Sequence, residues 1–264
     1  MRLQPESSQA TLTRNGRSQT LRWLQHLVTA PLTGLAPAVT GDLVFIGSDN
    51  GAGLDTAGRI VVRLNPVRLV PGPVQPPPPS NAAAVIGIDN PIGPEPNRWP
   101  VQYSVSMVLG DAAFPAAPTA GGMALRFNPA FADLLFEGTG HTYKELNDLT
   151  AAGGIVPSFP LNASMRVAPV FETATLRSDN VIGVLPGSDP ALGAQHVVLT
   201  AHIDGYGIGE PWNGDSIYNG AFDDAAYVAT LLDFAEKLRE SGTRLRRSLL
   251  FAVVTGEDGD DGDS

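Results

Sequence analysis

The stretch 196–258 constrains the fold more than any other. It reads HVVLTAHIDGYG, then a polar loop, then NGAFDDAAYVATLLDFAEKL, then RRSLLFAVVTGED. Apolar runs at 197–199 and 249–254 are short, rich in β-formers and bounded by breakers, which predicts buried strands. Between them Val228, Leu231, Leu232, Ala235 and Leu238 recur at helical spacing, and Gly242 follows as a stop signal. Strand, helix and strand make a βαβ unit, with parallel strands and a right-handed crossover. Both strands of such a unit end on one edge of the sheet, in front of which ligands bind. His202 and Asp204 fall just past the end of the first strand, Glu257 and Asp258 just past the second, and Asp223 at the start of the helix. The spacing therefore predicts that one imidazole and several carboxylates converge from distant positions, a donor set suited to a zinc-class cation. Each residue also has a local reading. Asp223 can serve only as an N-terminal helix carboxylate, His202 as a hydrogen-bonded strand end, and Glu257 and Asp258 as solvated loop acids. Those local readings, taken together, require that all of them reach one edge by coincidence.

The segments AHIDGYG, NGAFDDAAYVA and VVTGED resemble the zinc exopeptidase superfamily of bacterial leucyl aminopeptidases, glutamate carboxypeptidase and the transferrin receptor. The resemblance covers roughly residues 178–258. In that family two metals share a bridging Asp within a motif like G-A-x-D-D/N-A-S-G, which matches Gly220-Ala221-Phe222-Asp223-Asp224-Ala225-Ala226 and makes Asp223 the bridge. The family's H-x-D matches His202-Ile203-Asp204: His202 is implied as a ligand and Asp204 as the residue that orients the site. Its E-E pair matches Glu257-Asp258, which implies Glu257 as general base and Asp258 as ligand, with Asp in the second place a departure from the pattern.

The resemblance implies a metal-dependent exopeptidase, an aminopeptidase rather than a carboxypeptidase, acting on peptide substrates. Two zinc ions about 3.5–4 Å apart would acidify a shared water and polarise the scissile carbonyl. A carboxylate within reach would carry the proton to the leaving amine. The alternative from another class is a non-catalytic binding module or an inactive truncated fragment on the same scaffold, since the transferrin receptor keeps the scaffold without the metals. The family pattern needs two more ligands, an Asp after the next strand and a late His. The sequence ends at Ser264 before either, so it reads as a fragment or truncated product with half a site. Such a chain is expected to hold zinc weakly. The resemblance places the full-length parent in a secreted or periplasmic setting.

Composition closes off other classes. There is no cysteine among the 264 residues, so disulfides, thiolate zinc sites and cysteine nucleophiles are excluded. A net charge of −10 argues against nucleic-acid partners. No apolar run of 18 residues appears, hence no membrane-spanning helix is expected, and the polar start MRLQPESSQATLTRNG lacks the apolar core of a signal peptide. The glycines at 205, 207 and 209 follow a strand, but position 210 is Glu210 and no helix opens there, so a dinucleotide loop is rejected. G-x-S-x-G, P-loop and H-E-x-x-H motifs are absent, and the terminal GDDGDS misses calcium-loop spacing. About 20 residues separate His202 from Asp223, long for an α/β connection, which favours a functional loop.

The fold expected is α/β in two parts. Residues 1–177 form a mainly β domain of protease-associated type, with its N-terminal segment, and residues 178–264 form the N-terminal part of a zinc-peptidase sheet with helices. The protease-associated resemblance rests on GDLVFIG, GRIVVRL and AAAVIGID. Within the first part, strands are expected at 42–47, 59–64, 83–88, 101–109 and 165–175, with a further strand at 180–185 leading into the peptidase sheet. A helix is expected around 19–28, with His26 structural, and others at 128–137 and 142–152. The last opens on Thr142 and Glu145, the ends of a capping box, and His141 before it reads as local structure. Four consecutive prolines, 76–79, predict an extended polyproline loop.

Overall fold

The computed structural model describes residues 1–29, 35–65, 79, 81–89, 99, 122–212 and 214–257. The strand expected at 101–109 and most of the proline run lie outside these residues, as does Asp258. The chain divides into two compact units, Met1–Thr173 and Ala174–Ser264.

In the first unit the strands are β1 (Arg2–Leu3), β2 (Gln9–Arg14), β3 (Arg17–Thr20), β4 (Leu27–Val28), β5 (Val39–Phe45), β6 (Ile60–Leu64), β7 (Ala84–Ile88), β8 (Met123–Phe127), β9 (Phe159–Ala168) and β10 (Phe171–Glu172). Two helices, α1 (Asp133–Phe136) and α2 (Tyr143–Ala151), precede β9. Eight strands form one sheet in the order β3-β2-β9-β5-β6-β7-β8-β4. Its centre, β5 to β8, is parallel, and its flanks are antiparallel. Parallel strands covered on both faces read as unbroken apolar runs, and β6 and β7 do so: Ile60, Val61, Val62, Ala84 and Ile86 are all fully buried. The larger core lies on one face around Phe45, Phe127, Phe136 and Met165, and a smaller one, around Val44, Val61 and Val85, lies on the other.

The helix expected around 19–28 is not formed. Arg14 pairs with Arg17 across Asn15 and Gly16, whose φ values of 50° and 75° make a tight hairpin, so Arg17–Thr20 is a strand on β2. Ladder bonds to β2 and burial of Leu21, Trp23 and Leu27 override the helical spacing of those apolar residues. His26 closes the following turn: its Nδ1 accepts from Arg22 N at 2.9 Å, and its ring packs 4.4 Å from Phe131. At α2, Thr142 caps the helix by accepting from Glu145 N at 3.2 Å. Glu145 Oε1 lies 3.1 Å from His141 Nδ1, and that imidazole stacks on Phe159 at 4.5 Å. Asp89, just past β7, is buried against Arg126, which donates to both of its oxygens at 2.9 and 2.7 Å, and Asn65 adds a third bond at 2.9 Å.

The second unit contains β11 (Val181–Leu185), β12 (His196–His202), β13 (Gly207–Trp212), β14 (Asp215–Tyr218), α3 (Ala226–Glu240) and β15 (Ser248–Val254). Its main sheet runs β11-β15-β12. β12 and β15 are parallel, from His196 beside Ser248 to His202 beside Val254, as the strand–helix–strand pattern predicts. β11 joins the other side of β15 antiparallel. Gly242, with φ of 65°, follows the helix as the stop signal predicts. Phe234 of α3 meets Phe251 of β15 at 6.2 Å. The runs at 197–199 and 249–254 were expected to be buried strands, yet Val198 is 54% exposed, and Val181 on β11 is 64% exposed. β11 and β12 are the two edges of this three-stranded sheet, and burial concentrates at Leu249 and Ala252 on the central strand and Ala201 beside it.

A polar hub ties the entry of β15 to the turn before β12. Ser248 Oγ accepts from Gly187 N at 2.8 Å and donates to Gly193 O at 2.6 Å. A Cβ at Gly187 would stand 2.5 Å from Arg246 O, so glycine is required there. Arg246 Nε donates to Asp189 Oδ2 at 2.9 Å, and this contact, with bonds from Ala191 N and Leu192 N, holds the Asp189 carboxyl below the usual carboxylate range. A depressed carboxylate contributes stability above its unfolded value near 3.8, and that contribution fades as pH falls through the folded value. Carboxyl NMR titration should therefore show Asp189 titrating below 3.8 in the native protein and returning towards that value in Arg246→Ala.

Candidate metal centre

His202 ends β12, and its residue is 8% exposed. Its Nδ1 lies 3.2 Å from the main-chain oxygen of Asp204 and 3.7 Å from that residue's Oδ1. The nearer contact from Asp204 is thus its carbonyl, to which an Nδ1–H can donate. That arrangement leaves the Nε2 lone pair on the opposite side of the ring.

Nε2 faces acids. Asp223 Oδ1 is 3.2 Å away, Glu257 Oε2 3.5 Å and Asp224 Oδ2 3.9 Å. Asp223 and Asp224 belong to a π-type turn, Ala221–Ala225, just before α3, and depart from helical backbone with φ/ψ of −119°/90° and −131°/20°. The peptide bond between them is cis. Asp223 was expected at the start of the helix, and it stands in this turn instead. Glu257 follows β15, so strand end, turn and second strand end bring His202, Asp223 and Glu257 together with Asp204 beside them. The ligating atoms of His202, Asp223 and Asp224 all lie within 4.8 Å of one another.

This donor set fits a divalent ion. Ligands 2.0–2.2 Å from a tetrahedral zinc stand roughly 3.4 Å apart, and the 3.2 Å between Nε2 and Asp223 is close to that value. An imidazole lone pair and carboxylate oxygens otherwise repel, so this grouping requires either a proton on Nε2 or a cation among the donors. The side chains of Asp223 and Glu257 are 79% and 63% exposed, open to an incoming ion, while that of Asp224 is 15% exposed.

With this geometry in view, the chain's likeness to known proteins can be placed. Residues 180–260 match Peptidase family M28. The match spans β11, β12, the Asp223–Asp224 turn, α3 and β15, and so takes in the whole convergent cluster. Among solved structures the chain is similar to an aminopeptidase from Aneurinibacillus sp. strain AM-1, at 17% identity and TM-score 0.46, over 97% of this chain and 50% of that one. It is also similar to a zinc aminopeptidase from Bacillus subtilis, at 16% identity and TM-score 0.42, over 98% of this chain and 50% of that one. The chain thus spans about half the length of these structures. No curated protein matches the sequence.

Asp224 is the site residue that motif reading leaves without a role. Its signal is present, as the second acid of an Asp-Asp pair, but its contact is with a main-chain amide and has no sequence signature. The hairpin β13–β14, which fills the long connection before the turn, also goes unread. Asn213-Gly214 between two β-rich runs is its signal, and Gly214 has φ of 86°. No helix among the described residues is long and apolar enough to cross a membrane.

Proposed function

We propose that the protein is a metal-dependent exopeptidase, an aminopeptidase that uses zinc. The observation that carries this reading is the meeting of His202 Nε2 with Asp223 and Glu257 inside the segment matched to a peptidase family. Bound zinc supplies Lewis acidity toward a peptide carbonyl and a water. His202 Nε2 and Asp223 would hold the metal, with Asp258 as the further ligand that the family resemblance implies. Asp204 keeps the imidazole in the Nδ1–H form, which turns the Nε2 lone pair toward Asp223. Glu257, exposed and beside Nε2, takes the proton of the attacking water at its carboxylate and passes it to the leaving amine. The same reading makes the first unit a non-catalytic domain of protease-associated type. Its buried acid, Asp89, is already taken up by Arg126 and Asn65.

Zinc centres take three or more protein ligands as a rule, and the described residues offer His202 and Asp223 with Glu257 and Asp224 near. The 264-residue chain alone is therefore expected to hold zinc loosely and to hydrolyse amino-acid p-nitroanilides negligibly, because loosely placed groups lose the geometry the reaction needs. The protein at its full natural length is expected to turn these substrates over in the presence of zinc. There Glu257→Gln should lower kcat by about 10²–10⁴-fold with zinc affinity little changed. Full-length protein that binds no zinc and keeps its fold would support the non-catalytic binding module instead. Equal activity of wild type and Glu257→Gln would remove Glu257 from the proposed role.

A further inference from the structure

We propose that Asp224 is a positioning residue: it holds His202 in its metal-facing pose through the main chain and is not itself a ligand. The inference rests on the metal-centre reading above. Ile203 N donates to Val254 O at 2.9 Å, so residue 203 turns its amide toward β15. Amides alternate in direction along a strand, so that of His202 points to the other edge of β12. Among the described residues no strand pairs there. His202 is buried, and a buried amide without an acceptor is costly. Asp224 Oδ2 takes that N–H at 3.0 Å, in a bond strengthened by the carboxylate's charge.

This bond joins two pieces of chain 22 residues apart. One is the strand end that carries the imidazole, and the other is the turn that carries Asp223. Asp224 therefore sets the 3.2 Å spacing between Nε2 and Asp223 Oδ1 without entering the gap between them. Its own Oδ2 is 3.9 Å from Nε2, longer than the roughly 3.4 Å separation of two ligands on one tetrahedral ion. An oxygen engaged with an amide also has less to offer a cation.

Positioning and ligation predict different responses to a conservative change. Asparagine keeps an oxygen that accepts from the His202 amide but loses the charge a ligand needs, whereas alanine loses both. Two readouts on the 264-residue chain separate the cases: hydrogen exchange at the His202 amide without metal, and cobalt titration followed by its visible absorption bands. Asp224→Ala should speed exchange at His202 and weaken cobalt binding by about 10–100-fold, the usual effect of losing a group that orients a ligand. Asp224→Asn should keep the amide protected and the cobalt affinity within about threefold of wild type, a small fraction of the loss that accompanies removal of an orienting group. Asparagine losing as much cobalt affinity as alanine would make Asp224 a ligand and overturn the inference. Unchanged amide exchange in Asp224→Ala would overturn it as well. Wild type that binds no cobalt at all would sink the metal-centre reading, and the inference with it. Cobalt bound equally by wild type and Asp224→Ala would sink the inference alone.

Discussion

His202→Ala is expected to reduce divalent-metal binding by more than about 100-fold, beyond the effect of losing a group that only orients a ligand. The reason is geometric. Nε2 is the one nitrogen donor among the groups that meet here, and Asp223, Glu257 and Asp224 are all placed relative to it at 3.2, 3.5 and 3.9 Å. Removing the ring leaves acids drawn from a turn and a strand end, with nothing between them to fix an ion. It also removes the contact through which Asp204 bears on the site. The groups named all lie in the second unit, so the first should unfold at its wild-type temperature within a few degrees while a zinc titration goes flat. Zinc held with near wild-type affinity by His202→Ala would mean that the acids bind alone and that the imidazole is a bystander.

Phe45→Ala is expected to destabilise the first unit by about 3–5 kcal/mol. Phe45 is fully buried at the end of β5, the strand where the parallel centre of the sheet meets its antiparallel flank. Its ring touches Phe136 edge-on at 5.3 Å and Phe159 at 5.2 Å, so it links β5 with α1 and β9. Alanine would leave a cavity walled by two rings held by separate elements, which cannot collapse together to fill it. Urea unfolding followed by tryptophan fluorescence reads this change, since Trp23 is buried in the same core. A loss below 1 kcal/mol would show that Phe136 and Phe159 close over the gap. Metal binding should survive the substitution under native conditions.

Much of the second unit was legible because its signals are local and mutually consistent. Apolar runs at 197–199 and 249–254, five apolar residues at helical spacing and Gly242 after them all describe one strand–helix–strand unit, and β12, α3 and β15 form it. What the sequence did not disclose was set by long-range pairing. Residues 19–28 carry apolar positions that suit a helix, but Asn15-Gly16 starts a hairpin, and ladder bonds to β2 outweigh the local preference. β11 runs antiparallel to β15, a direction that no residue in 181–185 announces. Exposure of Val181 and Val198 follows from their places on edge strands, which an apolar run alone does not reveal.

The candidate site divides in the same way. His202, Asp223 and Glu257 were visible because a parallel pair of strands must end on one edge. Asp204 was legible as a neighbour of His202, but its nearer contact runs through its carbonyl, which every residue possesses. Asp224 was illegible for a related reason: it serves a main-chain amide on the edge of β12 where, among the described residues, no strand pairs.

The most direct test of the metal centre is imidazole nitrogen NMR during a zinc titration. The chain has four histidines, and three of them have other surroundings: His26 is bonded to Arg22, His141 lies against Glu145 and Phe159, and His196 is exposed at the start of β12. Zinc should first shift Nε2 of His202, with Nδ1 still carrying its proton, and the shift should vanish in Asp223→Ala. Zinc that moves His141 or His196 before His202, or leaves His202 Nε2 unchanged at saturation, would contradict the account.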